Sequence, residues 1–167
     1  MKPYLQPPPQ PLLKARHVIK GEKPMSVAQA LNRQATARAF WLGFAAYVVP
    51  TFPIGYVWHL VAFAPTYHGL AMYRDDIIIP FGFLSMLIQG AAFSWVYPRV
   101  FSDRSAWLSN GVRYGLALAA LSWSFTTLAV AAKNVMTSVP TYMLLETGFT
   151  LVQFAVVGPL IALAYRN

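Results

Sequence analysis

Four long stretches almost free of charge constrain this chain more than any other feature. From Ala39 to Tyr73 there is no Lys, Arg, Asp or Glu, and the same holds from Ile77 to Pro98 and from Tyr114 to Ala132. Between Asn134 and Tyr165 the only such residue is Glu146. A helix rising ~1.5 Å per residue needs about 20 apolar residues to cross a ~30 Å hydrocarbon layer. A soluble domain carries about 25% charged residues, whereas this chain of 167 residues carries 11%. A soluble enzyme domain and a disordered chain are therefore excluded. Lipid offers the backbone no hydrogen-bond partners, and the runs are too long and too irregular for tilted strands. The expectation is an all-α membrane protein, a four-transmembrane-helix antiparallel bundle. Its spans lie at about 40–63, 76–97, 113–132 and 141–165 within a transmembrane domain over 39–167.

Charge gives the orientation. The formal net charge is +8, but the basic residues sit in the tail and between the apolar runs. They form no basic face with interleaved aromatics, so nucleic acid is not an expected partner. With the N-terminus in the cytoplasm, Lys2, Lys14, Arg16, Lys20, Lys23, Arg33, Arg38, Arg99, Arg104, Arg113 and Arg166 fall inside, and only Arg74 and Lys133 outside. That asymmetry predicts a multi-pass protein of the inner (cytoplasmic) membrane with both termini cytoplasmic. Trp41, Trp95, Tyr97, Trp107 and Tyr165 then sit near the inner boundary, and Tyr67, Tyr73 and Tyr142 near the outer one, as interfacial anchors. Residues 1–25 are a basic tail in which Pro3, Pro7, Pro8, Pro9, Pro11 and Pro24 disfavour helix. It reads as a solvated tail or as a segment contacting a partner. Residues 26–38, capped by Ser26, predict a short interfacial helix feeding the first span.

The polar positions inside the spans are few. His59 and Glu146 fall at similar depth near the outer boundary. Glu146, Thr150 and Gln153 share one face of the fourth span, and Ser85 and Gln89 one face of the second. Together they predict a polar seam. Ionisable groups in a membrane are costly and face protein or water. The pair therefore reads as a structural hydrogen bond or as a proton site. His59, His68, Asp75, Asp76 and Glu146 are candidate metal ligands, with Met72, Met136 and Met143 nearby for copper. Pro50 and Pro53 predict a kink in the first span. Gly115, Ala119, Ser122 and Thr126 in the third span, Gly90 and Ser94 in the second, and Gly158 and Ala162 in the fourth are spaced for close helix packing.

With no Cys in the chain, disulfides and thiol chemistry are excluded, and no catalytic motif of defined spacing is present. No cofactor is required. PIGYVWHLVAF (Pro53 to Phe63) and IIIPFGFLSMLIQGAAFSWVYPR (Ile77 to Arg99) resemble segments of small uncharacterised bacterial four-span membrane proteins. The resemblance covers the first hairpin and implies a bacterial inner membrane, with no activity attached. The expected function is a non-catalytic accessory, structural or assembly subunit of a larger membrane complex, with other membrane subunits and the lipid bilayer as partners. The alternative is a small proton-coupled transporter or metal-binding membrane protein using His59 and Glu146. An enzyme acting on a lipid or quinone would need a deep pocket opening to the bilayer near Asp76 and Glu146.

Overall fold

The computed structural model describes residues 27–74 and 76–166. The tail over 1–25, the Ser26 cap and Asp75 lie outside the described residues. The structure is all-helical, with no strand among the described residues. Four helices are long and apolar enough to cross a membrane: Gln34–Ala62, Ile79–Val100, Trp107–Lys133 and Val139–Ala164. In chain order, α1 (Val27–Val57) runs on through a π turn at Trp58–Ala62, and the short α2 (Ala64–Gly69) follows. Then come α3 (Ile79–Val100) and α4 (Trp107–Trp123), which continues through a second π turn at Ser124–Leu128 into α5 (Ala129–Lys133). The chain closes with α6 (Val139–Ala164).

Local chemistry sets these limits. Ser138 caps α6, its hydroxyl accepting from the Thr141 amide at 3.4 Å, and Pro140 occupies the first turn, where its missing N–H costs nothing. Pro80 plays the same part at the start of α3. No break separates the residues expected as an interfacial helix from the first span, because α1 is helical from Val27 onward. The third span starts at Trp107, ahead of Arg113. Arg113 is exposed, and a long charged side chain near a helix end reaches for water while its stem stays on the apolar surface.

α1 and α6 form the centre. α3 packs on α1, and α4 packs on α6. The α4–α6 contact depends on glycine. A Cβ at Gly115 would lie 2.5 Å from the Phe154 carbonyl oxygen, and one at Gly158 would lie 2.5 Å from that of Gly111. Gly111 and Gly115, four residues apart, thus present bare backbone to α6. Gly90 of α3 faces Phe44, Tyr47 and Val48 of α1 in the same manner. Ser94 is fully buried, donating to the Phe40 carbonyl at 2.7 Å.

The two ends of the bundle are locked differently. At one end the Tyr165 hydroxyl donates to the Ser94 carbonyl at 2.6 Å, and the Tyr114 hydroxyl donates to that of Phe93 at 2.7 Å. The Tyr97 ring packs against both tyrosines at 5.2 and 5.3 Å between centroids. This Tyr165 end joins α3 to α4 and α6. At the other end, Tyr67, Leu70 and Tyr142 are buried together. There the Thr137 hydroxyl donates to the Gly69 carbonyl at 2.8 Å, tying the α5–α6 connection to the end of α2. Between the locks, residues of α3 and of the turn that follows α4 line an open space.

Candidate functional site

His59 sits in the π turn that ends the first span, closed by the Phe63 amide reaching back to the Trp58 carbonyl at 3.1 Å. Such single wide turns are recurrent at functional positions because they re-aim one side chain within an otherwise regular helix. The ring is held by several contacts, the Tyr67 ring at 4.9 Å between centroids among them. Its Nδ1 lies 3.0 Å from the Gly55 carbonyl, its Nε2 lies 3.3 Å from Glu146 Oε1, and its face meets the Phe149 ring edge-on at 4.4 Å. Tyr67, from α2, donates its hydroxyl to the same Glu146 oxygen at 2.7 Å.

These contacts count protons. A carbonyl only accepts, so the Nδ1 facing Gly55 carries a hydrogen. The Nε2–Oε1 contact then holds one further proton, as imidazolium against carboxylate or as imidazole against carboxylic acid. Burial pushes the Tyr67 hydroxyl well above the ordinary tyrosine range, and the adjacent Glu146 pushes it the same way. Tyr67 is therefore a donor throughout the physiological range. Tyr73, stacked on it at 4.9 Å, is raised for the same two reasons. Glu146 is 6% exposed, and both contacts fall on the same carboxylate oxygen.

His59 and Glu146 line a cavity of about 770 Å³. Ser85 and Gln89 from α3 and Gln153 from α6 line it as well. A second hydrogen-bonded chain runs deeper. Gln153 Nε2 donates to the Tyr47 hydroxyl at 3.2 Å, Tyr47 donates to Gln89 Oε1, and Gln89 Nε2 donates to Ser85 at 2.8 Å. Thr150 is buried on α6 without reaching the cavity. Further lining comes from α3, with Ile79, Gly82, Phe83 and Met86, and from the region of the second π turn, with Ser122, Phe125, Thr126 and Val130. The α2–α3 connection, with Met72, Tyr73, Arg74, Ile77 and Ile78, also lines the cavity.

The other candidate residues lie elsewhere. His68 is exposed at the end of α2, and Asp76 is exposed and paired with Arg74 Nε at 3.0 Å. Among the described residues no group of three His, Asp or Glu comes together. Met136 and Met143 pack in the Tyr67–Tyr142 cluster, and Met72 lines the cavity. In the third span, Gly115 and Ala119 are buried, Ser122 is half-buried, and Thr126 is exposed to the cavity while its neighbour Thr127 is fully buried. The π turn explains that exchange. One extra residue per turn rotates everything beyond it, so a stripe extrapolated at regular spacing lands one position short. The Tyr142 hydroxyl donates to the Thr126 carbonyl at 2.5 Å inside this wide turn.

Two participants have only weak sequence signals. Tyr67 reads as an interfacial anchor, and nothing in its spacing points to Glu146. Gly111 forms a Gly-x-x-x-Gly pair with Gly115, a legible signal that lies outside the span when the span begins at Arg113. Comparison with known protein families, characterised proteins and solved structures finds no match to this chain.

Proposed function

We propose that this protein is a small proton-linked carrier of amphipathic molecules in a bacterial inner membrane. Its four spans run antiparallel with both termini in the cytoplasm. The distribution of Lys and Arg supports that orientation, and the resemblance of the first hairpin supports the bacterial setting. One observation carries the functional reading: a hydrogen-bonded His–Glu–Tyr network forms part of the wall of a cavity large enough for a small molecule. A proton held between two such groups responds to any occupant that competes for either of them. Glu146 sits among His59 from the first span, Tyr67 and Tyr73 from the α2 region and Tyr142 from its own helix, with Arg74 also on the cavity wall.

The test is proton movement in proteoliposomes carrying an imposed pH gradient, read with a quenched pH dye while lipophilic solutes are added. The wild type dissipates the gradient with a transported solute, and Glu146→Gln does not. Equal dissipation by the two proteins refutes the reading.

A second reading, an accessory subunit of a larger complex, draws on α3. That helix packs chiefly on α1 and exposes Phe81, Leu84, Ile88 and Trp95, a face suited to lipid or to a neighbouring helix. Purification in mild detergent separates the readings, because a partner-free monodisperse protein counts against a subunit role.

A further inference from the structure

Resting on the carrier reading, we infer that the cavity takes a neutral aromatic amphiphile with oxygen-bearing groups at opposite ends of its ring. Such a molecule enters from the bilayer between α3 and α4. Four observations lead there.

The first is charge. Among the described residues the ionisable groups on the wall other than tyrosines are His59, Arg74 and Glu146. Glu146 is matched by His59, and Arg74 by Asp76. An anionic headgroup would meet Glu146, and a lipophilic cation would meet both His59 and Arg74. A neutral guest meets neither penalty.

The second is the lining. Phe52, Tyr56, Phe83, Phe125 and Phe149 line the space, and an aromatic lining suits a flat ring over a branched chain. The third is the spacing of hydrogen-bonding groups. Glu146 and Gln153 are seven residues apart on α6, about 10 Å along the axis at ~1.5 Å per residue, with Phe149 between them. Glu146 Oε1 is used by both Tyr67 and His59, whereas Oε2 accepts nothing among the described residues. Gln153 gives one amide hydrogen to Tyr47, which leaves its carbonyl oxygen and a second hydrogen. A six-membered ring lying on Phe149, oxygenated at opposite positions, spans that gap with a ~2.8 Å hydrogen bond at each end. Its hydroxyl donates to Glu146, and its other oxygen meets Gln153.

The fourth is access. α3 and α4 are joined at the Tyr165 end through Tyr114 and Phe93, and Ile79, Gly82, Phe83 and Met86 of α3 and Ser122 of α4 line the cavity. Gly82 lies on the α3 wall, and a Cβ there would meet nothing within 4 Å. An exposed position with open space beside it, among apolar lining residues, suits entry by a molecule already dissolved in lipid.

The probe is butyl 4-hydroxybenzoate, compared with butyl benzoate, which lacks the hydroxyl, and with tetraphenylphosphonium. Binding is measured on the purified protein in mild detergent by equilibrium dialysis. The wild type binds the hydroxylated ester about tenfold or more tightly than butyl benzoate, as expected when a site is built to hydrogen-bond a hydroxyl. Glu146→Gln removes that preference. Gly82→Phe, which fills open space, abolishes binding of both esters. If Gly82→Phe does not give a monodisperse protein, the hydroxyl preference and its loss in Glu146→Gln decide alone. Equal binding of the two esters, or tighter binding of tetraphenylphosphonium, overturns the assignment of ligand class. The carrier reading fails separately: the hydroxylated ester would then bind with its preference intact but move no protons in proteoliposomes. Conversely, proton movement driven by a different solute without ester binding would leave the carrier reading in place and remove this one.

Discussion

Replacing Gly158 by Ala adds a single methyl group, and the structure makes the consequence calculable. The new Cβ would lie 2.5 Å from the Gly111 carbonyl oxygen, 2.7 Å from the Gly115 Cα and 2.9 Å from the Gly115 nitrogen. All three are backbone atoms, so no side chain can rotate away, and α4 must move off α6 along the most extensive helix contact among the described residues. Overpacking of this kind costs about 1–3 kcal/mol. Against it stands the gain of Ala over Gly inside a helix, about 0.5–1 kcal/mol. The net expectation is a loss of about 1–2 kcal/mol. Gly82→Ala isolates the second term, because a Cβ there touches nothing within 4 Å, and it should stabilise by about 0.5–1 kcal/mol. The two substitutions are chemically identical and should move stability in opposite directions. Titration from mild micelles into a denaturing detergent, followed by circular dichroism, measures both. If Gly158→Ala is as stable as Gly82→Ala, the close backbone approach of α4 and α6 is wrong.

Further outcomes follow from the same geometry. Tyr67→Phe removes the 2.7 Å donor to Glu146 and should cost about 1.5–3 kcal/mol, the range for a hydrogen bond to a charged group; the same detergent titration reads it. Tyr67 and Tyr73 are both raised above the ordinary value of 10.0, so the folded state holds their protons more tightly than the unfolded state does. Their contribution is complete below pH 10 and declines as pH rises above it. Stability measured across that range should fall less steeply in the Tyr67→Phe/Tyr73→Phe double variant. Tyr165→Phe loses the 2.6 Å bond to the Ser94 carbonyl and should cost about 1 kcal/mol, leaving ester binding at the opposite end unchanged. Asp103 is held below its usual 3.8 by the Ser105 hydroxyl and amide, which donate to it at 2.6 and 2.9 Å. This turn is intact above pH 3.8 and loosens as pH falls through the lowered value. Amide exchange at Ser105 should therefore show protection at neutral pH that Asp103→Ala lacks.

Much of the fold was legible because charge avoidance acts over whole helices. A hydrocarbon layer penalises every ionised group, so the four spans stand out without any knowledge of packing. Their limits were less legible where one residue satisfies two rules. Arg113 ends an apolar run by composition, yet its exposed, flexible side chain lets the helix pass through it, and that hid Gly111. The face of the third span was readable as far as Ala119. Beyond it the π turn changes the period, and no residue type in Ser124–Leu128 announces such a turn. His59 and Glu146 were visible as rule-breakers, since either alone is expensive in a membrane. Tyr67 was not, because tyrosine at an interface breaks no rule and its partner lies 79 residues away. The cavity was beyond reach for a further reason: it is space between helices, and residue patterns record what a helix touches, not what it leaves empty.

The claim on which the functional account turns is that Glu146 shares its proton with His59 and with whatever occupies the cavity. Infrared difference spectra of the purified protein, recorded on adding butyl 4-hydroxybenzoate to the wild type and to Glu146→Gln, address it directly. The account predicts a change in a carboxyl band in the wild type that is missing from Glu146→Gln. Identical difference spectra from the two proteins would contradict it.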